Sequence, residues 1–457
     1  MSSRRRDQSG SHTATPVQPE DQAADPYAEA VLEARLGRAP RDVLEATVVL
    51  EAWTGRPAGR AMTSARRFLR PEMEPISSLS RVDPFQDSER TSVVAEGVTL
   101  VLLIVSIAAW ASPIRLELGP RVLSDAIRVA LPIAVALQWG LRSRYLGRPH
   151  GLACLARDGL WPWILLLIII DTPLVLLGTW GRVAALLVPI WVGGAILTRR
   201  GWGLSYAGVL LAATIAIVEG LFAFPVLIAL TVVTLLMCVG AVFTRRQRTD
   251  ARAGSPRRAL MATAIGAVVG TLLVADPTLG WGVHGAHPAV ALVPSVIGSY
   301  WGGYYLWNFY DAVPRGLQGV SLGRADGVAL TDPAMSIFVG AIARLIIATT
   351  ALSLLVVALG GPLQGVDSWS VFVAFGCVGT MSMLVGILEA FSLQRSALVA
   401  AGAALAVELL WRFEAPVHAP GLALAAGATA GVLVTLPPLV VRLAQSGRTL
   451  ATTLWIQ

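Results

Sequence analysis

LGPRVLSDAIRVALPIAVALQWGLRSRYLGR, residues 118–148, holds one complete membrane crossing and frames the rest of the chain. Gly119-Pro120 breaks the preceding segment. Val122 to Leu141 is apolar apart from Asp125, Arg128 and Gln138, and Arg142, Arg144 and Arg148 then arrive together. A run of about twenty apolar residues is long enough to cross the hydrocarbon core as a helix. Clustered arginines mark the cytoplasmic side. The stretch is therefore expected to start outside and finish inside.

Working outward, the chain of 457 residues is 55% hydrophobic and 14% charged, too apolar for a soluble protein of this size. The expected class is an all-α integral membrane protein. Its 36 basic side chains are all arginine, a usage that fits a GC-rich, bacterial genome. Cys154, Cys238 and Cys377 are far apart and form no CxxC, so neither a disulfide framework nor a zinc site is expected. The net charge of +7 belongs to the apolar part: before Thr91 there are 13 Arg against 14 acids, and from there on 23 against 15. That balance argues against a basic tail gripping nucleic acid. The residues that follow Arg4 to Arg6 contain no apolar core of a signal peptide, so the amino terminus is expected in the cytoplasm.

Residues 1–24 are polar and expected to be disordered. Residues 25–70 carry helical spacing at Tyr27, Val31 and Leu32, at Val43, Leu44 and Val48, and over 61–69, and read as a small cytoplasmic helical segment. Such a piece is small for a core of its own, so it is expected to pack on the membrane part or on a partner. Residues 71–91 read as a linker.

Twelve apolar spans follow: 92–111, 122–141, 159–178, 181–198, 202–223, 225–244, 259–275, 288–310, 334–359, 369–391, 396–411 and 420–441. Fifteen arginines fall in the loops expected inside, against Arg115, Arg121, Arg182 and Arg412 in the opposite loops. This asymmetry predicts twelve crossings with both termini in the cytoplasm of a bacterial inner membrane. The basic segment 245–258, RRQRTDARAGSPRR, divides them into two six-helix lobes, 92–244 and 259–443, with 444–457 as a cytoplasmic tail. Trp139-Gly140 with Tyr145-Leu146 is echoed by Trp301-Gly302 with Tyr305-Leu306 at the equivalent place in the second lobe. Internal duplication of this kind is common among transporters.

Leu118-Gly119-Pro120, the aliphatic span, Gly140-Leu141 and Arg144-Tyr145-Leu146 resemble a pattern in polysaccharide flippases of the multidrug/oligosaccharidyl-lipid/polysaccharide superfamily. The resemblance implies a transporter that moves a lipid-linked oligosaccharide by alternating access. Its partners would be membrane lipid and lipid-linked glycan, with no cofactor and no catalytic residue. Two other readings stay open on sequence alone. Residues 140–148 also approximate the second-loop motif of major-facilitator carriers, and the segment 25–70 would suit a scaffold recruiting a glycosyltransferase or polymerase.

Charges inside hydrocarbon cost on the order of 2.5 to 3.5 kcal/mol each, so each is a functional candidate. Arg128 and Arg344 are candidates for the substrate path, with Arg142, Arg144 and Arg148 at its entrance. Guanidinium groups suit the pyrophosphate of a lipid-linked sugar. Bland alternatives stand beside these: Arg128 pairs with Asp125 one turn away, and Arg344 with Glu389. Asp171, Glu219, Glu389 and Glu408 are candidates for ion coupling. Asp171 stands out because Thr172-Pro173 follows it, and a kink is expected there. Residues 299–311, SYWGGYYLWNFYD, place Tyr300, Trp301, Tyr304, Tyr305 and Trp307 together, as an interfacial belt or as a stacking platform for sugar rings. Gly266 with Gly270, and Gly427 with Gly431, read as packing seams. His284, His287 and Asp276 in an outer loop fall short of the four ligands a structural zinc site offers, so no metal is expected. No Walker loop, HExxH or nucleophile elbow supports an ATP-driven or hydrolytic mechanism.

Overall fold

The computed structural model describes residues 26–36, 40, 43–56, 58–68, 86–146, 151–158, 161–243, 253–281, 291–296, 339–340, 343–351, 354, 367–414 and 419–444. The chain divides into two compact units, Met1–Ser78 and Leu79–Gln457.

In the first unit, α1 (Pro26–Leu36), α2 (Val43–Thr54) and α3 (Ala58–Phe68) pack together. Helical spacing puts Ala28 and Leu32, Ala46, Val49 and Leu50, and Ala61 and Ala65 on facing stripes, and all seven are buried in one core. Gly55, at φ +68°, ends α2 in the left-handed conformation that glycine tolerates. Arg56 donates to the Ser64 hydroxyl at 3.2 Å, and the Arg35 guanidinium lies 5.0 Å over the Trp53 ring. The segment thus has a core of its own. Burial also pushes the Glu51 carboxyl above its ordinary range.

The second unit is helical in every element described. It contains α4 (Gln86–Leu118), α5 (Val122–Leu141), α6 (Gly151–Asp158), α7 (Trp161–Leu176), α8 (Thr179–Arg200), α9 (Gly203–Val218) and α10 (Ala223–Phe243). After the basic segment come α11 (Pro256–Ala275), α12 (Asp367–Ala390), α13 (Gln394–Glu414) and α14 (Leu422–Ala444). Ten of the twelve expected spans coincide with these helices. Eight are long and apolar enough to cross a membrane by themselves, nine if α6 and α7 count as one broken span. The chain is a multi-pass membrane protein. The other two expected spans, 288–310 and 334–359, fall mostly outside the described residues, where helix is seen at 291–296 and 343–351. Exposed Leu165, Ile168, Ile169 and Leu176 on α7, and Leu235 and Leu236 on α10, give these helices the apolar outer face that lipid requires.

Two spans differ from their expected form. The third, α7, runs on as helix through Pro173 instead of kinking there, and α6 precedes it at an angle of 82°. The Thr172 hydroxyl donates to the Ile168 carbonyl at 2.7 Å there, an i to i−4 bond that satisfies the hydroxyl within the helix. The fifth span is the 16-residue α9, ended by Glu219 and Gly220, the latter at φ +95°.

Among the helices before the basic segment, α8 is central, packed on α4, α5, α7, α9 and α10 and enclosed along nearly its whole length. Small residues permit this, since Gly193 faces Thr234 and Cys238 of α10. Polar groups stitch the neighbours. Gln138 Nε2 donates to the Trp191 carbonyl at 2.7 Å, Thr99 Oγ1 to the Gly203 carbonyl at 3.0 Å, and the Glu117 carboxylate accepts from the Ala223 and Phe224 amides that open α10.

Helices on either side of the basic segment meet along α5 and α11, the most extensive helix contact described. A Cβ on Gly266 would lie 2.7 Å from the Val135 carbonyl, and one on Gly270 2.6 Å from Pro132 Cα. In the second glycine pair a Cβ on Gly427 would reach 2.5 Å from the Ala404 carbonyl of α13, whereas one on Gly431 would meet the Met381 side chain of α12 at 2.6 Å. Gly266, Gly270 and Gly427 thus let backbones close on each other in the manner expected of small-residue seams.

Candidate functional site

The helices α11, α13 and α14 converge at the carboxy-terminal end of α11, and two carboxylates are buried there. Asp276 ends α11 and caps a short turn, Pro277–Leu279; Asp followed by Pro suits both tasks. Its Oδ1 accepts from the Thr278 amide at 2.9 Å and from the Thr278 hydroxyl at 2.5 Å, while Oδ2 is buried without a hydrogen-bond partner. Asp276 is 3% exposed. Glu408 lies in the second half of α13, on the face that Gly427 of α14 approaches so closely that a Cβ there would come 2.9 Å from Glu408 Cβ. It is 1% exposed, its carboxylate lies beside the Asp276 backbone N–H, and no side chain hydrogen-bonds to either oxygen. Its charged neighbours are Asp276 and, one turn along α13, Arg412.

Around the pair the structure is well fastened. The Thr278 hydroxyl accepts from the Gly421 amide at 3.2 Å, and Trp281 donates to the Leu273 carbonyl at 2.9 Å with its ring edge-on to Phe375. Ser295 donates to the Phe375 carbonyl, which sets the helical residues 291–296 against α12. Two facing carboxylates in an apolar surround are costly unless a proton or cation lies between them. The arrangement can hold one proton or one small cation, with the unpartnered oxygens of Glu408 and Asp276 as its donors.

The sequence-selected acids do not form one site. Asp171 is half-buried on α7, which packs on α8, and its Oδ1 is enclosed without a partner. Glu219 is exposed at the end of α9. Glu389 lies near the opposite end of the bundle, where its neighbours are Arg142 and Ser143.

The basic candidates are also spread. Arg128 pairs with Asp125 at 3.6 Å, both side chains about two-fifths exposed at 40% and 44%. Arg344 is exposed on the helical residues 343–351. Arg142 and Arg144 lie in the π turn Arg142–Leu146 that prolongs α5. Arg142 is exposed, whereas Arg144 donates to the Tyr145 hydroxyl at 2.9 Å, which in turn donates to Asp158 at 3.2 Å. Tyr145 is buried and edge-on to Trp163, and the Gly254 amide donates to the Arg144 carbonyl at 2.7 Å, tying the approach to α11 onto the turn. Arg148, Tyr300, Trp301, Tyr304, Tyr305 and Trp307 lie outside the described residues, as do His284 and His287.

Sequence reasoning missed Asp276 as the partner of Glu408 because it placed Asp276 in an exposed loop. The available signal was Asp276-Pro277-Thr278 directly after an apolar span, a cap that folds the carboxylate back onto the helix end.

Comparison with protein-family models and with curated proteins returns no match. Two solved structures are similar over most of the chain. One is a eukaryotic MATE transporter, at 15% identity and a TM-score of 0.41, covering 80% of this chain and 96% of that one. The other is a multidrug resistance MATE family transporter of the MOP superfamily in its outward-facing conformation, at 14% identity and a TM-score of 0.39, again covering 80% and 96%.

Proposed function

We propose that this protein is a flippase-like membrane transporter that moves a lipid-linked oligosaccharide or related glycan across a bacterial inner membrane for polysaccharide export, by alternating access. The observation that carries the transport reading is the Glu408–Asp276 pair. A bundle serving only as an anchor gains nothing from enclosing a carboxylate that no side-chain hydrogen bond satisfies, whereas a carrier that takes up and releases a proton or cation needs such a group. Of the candidates Asp171, Glu219, Glu389 and Glu408, this reading puts coupling at Glu408, with Asp276 as its partner. The glycan-lipid substrate rests on the stretch 118–146 and on the guanidinium groups of Arg142, Arg144 and Arg148 at the mouth of the path, with Arg128 and Arg344 along it and the aromatic run from Tyr300 to Trp307 as a sugar platform.

Purified protein in sealed vesicles with a fluorescent lipid-linked oligosaccharide on one leaflet tests this. The labelled sugar should become accessible to an impermeant glycosidase on the other side, faster under a proton or sodium gradient. Folded protein without gradient-dependent movement of any glycan lipid would end the reading.

The core of α1–α3 favours a second role beside transport, binding of a glycosyltransferase or polymerase partner. Removing residues 1–78 should then leave flux in vesicles intact while abolishing co-purification of that partner.

A further inference from the structure

Thr278 joins Asp276 to the turn that opens α14. Its hydroxyl donates to Asp276 Oδ1 at 2.5 Å, and the same oxygen accepts from the Gly421 amide at 3.2 Å. Gly421 has a φ of +79°, and a Cβ there would meet Ala374 Cβ and Val371 Cα of α12, each at 3.3 Å. The turn at 419–421 is thus pressed onto α12, and Ser370 fastens it again by donating to the Pro420 carbonyl at 2.6 Å. Nearly two turns further along, Gly427 closes on Glu408 itself. The start of α14 therefore touches the acid pair at two levels, once through backbone contact and once through a hydroxyl.

A hydroxyl has a single proton. While Asp276 Oδ1 is anionic that proton is drawn to it, the oxygen becomes a better acceptor, and the Gly421 N–H bond strengthens in series. A proton or cation on the unpartnered Oδ2 neutralises the carboxylate, leaves Oδ1 a weaker acceptor for the Thr278 hydroxyl, and so weakens the hold on Gly421. The charged groups facing this chain of bonds are Asp276 from the end of α11, and Glu408 and Arg412 from α13. The residues of α12 and α14 that close on it, Val371, Ala374, Phe375 and Gly421 to Gly427, carry no charge. On α5, which packs against α11, the charges nearest this end are Arg121, Asp125 and Arg128.

We propose that Thr278 is a positioning residue that transmits the occupancy of the Asp276–Glu408 pair to the α13–α14 connection, which stays seated on α12 while the pair is vacant and loosens when a proton or cation is bound. This rests on the pair being the coupling site.

Hydrogen–deuterium exchange of the peptide 419–426 in the full-length purified protein tests it. Thr278→Val and Asp276→Asn should each speed exchange at Gly421 about tenfold, the effect of losing one buried hydrogen bond. Thr278→Ser should exchange at the wild-type rate. The double variant Asp276→Asn with Thr278→Val should be no faster than the faster single one, because both cut the same chain. Exchange in α8 serves as the control for general loosening. Wild-type exchange in Thr278→Val, or additive effects in the double variant, would overturn the proposal. If Thr278→Val loosens α8 as well, Asp276→Asn decides alone: Gly421 must speed up with α8 unchanged, or the proposal falls. No substrate takes part. Loss of flux with this exchange pattern intact would therefore condemn the transport reading only, and flux with unchanged exchange would condemn only the coupling.

Discussion

Glu408 faces Asp276 from the neighbouring helix, both buried and both with an oxygen that no hydrogen bond reaches. Glu408→Gln keeps the shape and removes the charge. It is expected to change the melting temperature little, since an enclosed amide costs less than an unpaired buried charge. Transport in vesicles should lose its dependence on the ion gradient. A melting temperature lowered by several degrees would mean that the carboxylate is a structural anchor instead.

The α5–α11 seam makes a sharp contrast between glycines. Gly270→Ala puts a methyl 2.6 Å from Pro132 Cα, and backbone cannot move aside cheaply, so a loss of about 1 to 3 kcal/mol is expected in thermal or denaturant unfolding. Gly208→Ala, on α9 with nothing within 4 Å of the new methyl, should be neutral or stabilising by up to about 1 kcal/mol. Equal effects from the two would contradict the seam.

Tyr145→Phe deletes the hydroxyl that joins Arg144 to Asp158 while keeping the ring against Trp163. The expected loss is about 1 to 3 kcal/mol, because Asp158 loses a donor at a partly buried site. Asp158→Asn measured alone and with Tyr145→Phe should show coupling in a double-mutant cycle. Strict additivity would show that the bond contributes nothing.

The first unit is expected to fold on its own as a fragment covering residues 20–78, seen as helical circular dichroism with a cooperative melt. Leu50→Ala removes a fully buried side chain from a very small core, and a cost of about 2 to 5 kcal/mol should abolish that melt.

Glu51 gives the same fragment a pH dependence. Its folded pKa is raised by burial, so between the unfolded value of 4.5 and the folded value the native state binds more protons than the unfolded one. Stability from this group is therefore greatest below 4.5 and falls as pH rises through that window. Glu51→Gln should flatten the slope of melting temperature against pH there, and an unchanged slope would assign it to another group.

The membrane class, ten of the helical spans and the glycine seams were all legible in the amino-acid order, because hydropathy and small-residue spacing are properties of contiguous chain. Val122–Leu141 is the plainest instance: twenty residues between a Gly-Pro break and an arginine cluster, and the helix has those ends. Partners of charged groups are a different kind of fact. Asp125 and Arg128 could be paired from sequence since one helical turn joins them, yet Glu408 with Asp276, and Glu389 with Arg142, come from helices far apart in the chain. Which helices adjoin is decided by how α11, α13 and α14 close on one another through glycine contacts, and by the cap that turns Asp276 inward. The order of residues thus determined that this chain lives in a bilayer and roughly where it crosses; only the packed bundle decided which acids share one enclosed space, since that depends on through-space distance, which no local pattern encodes.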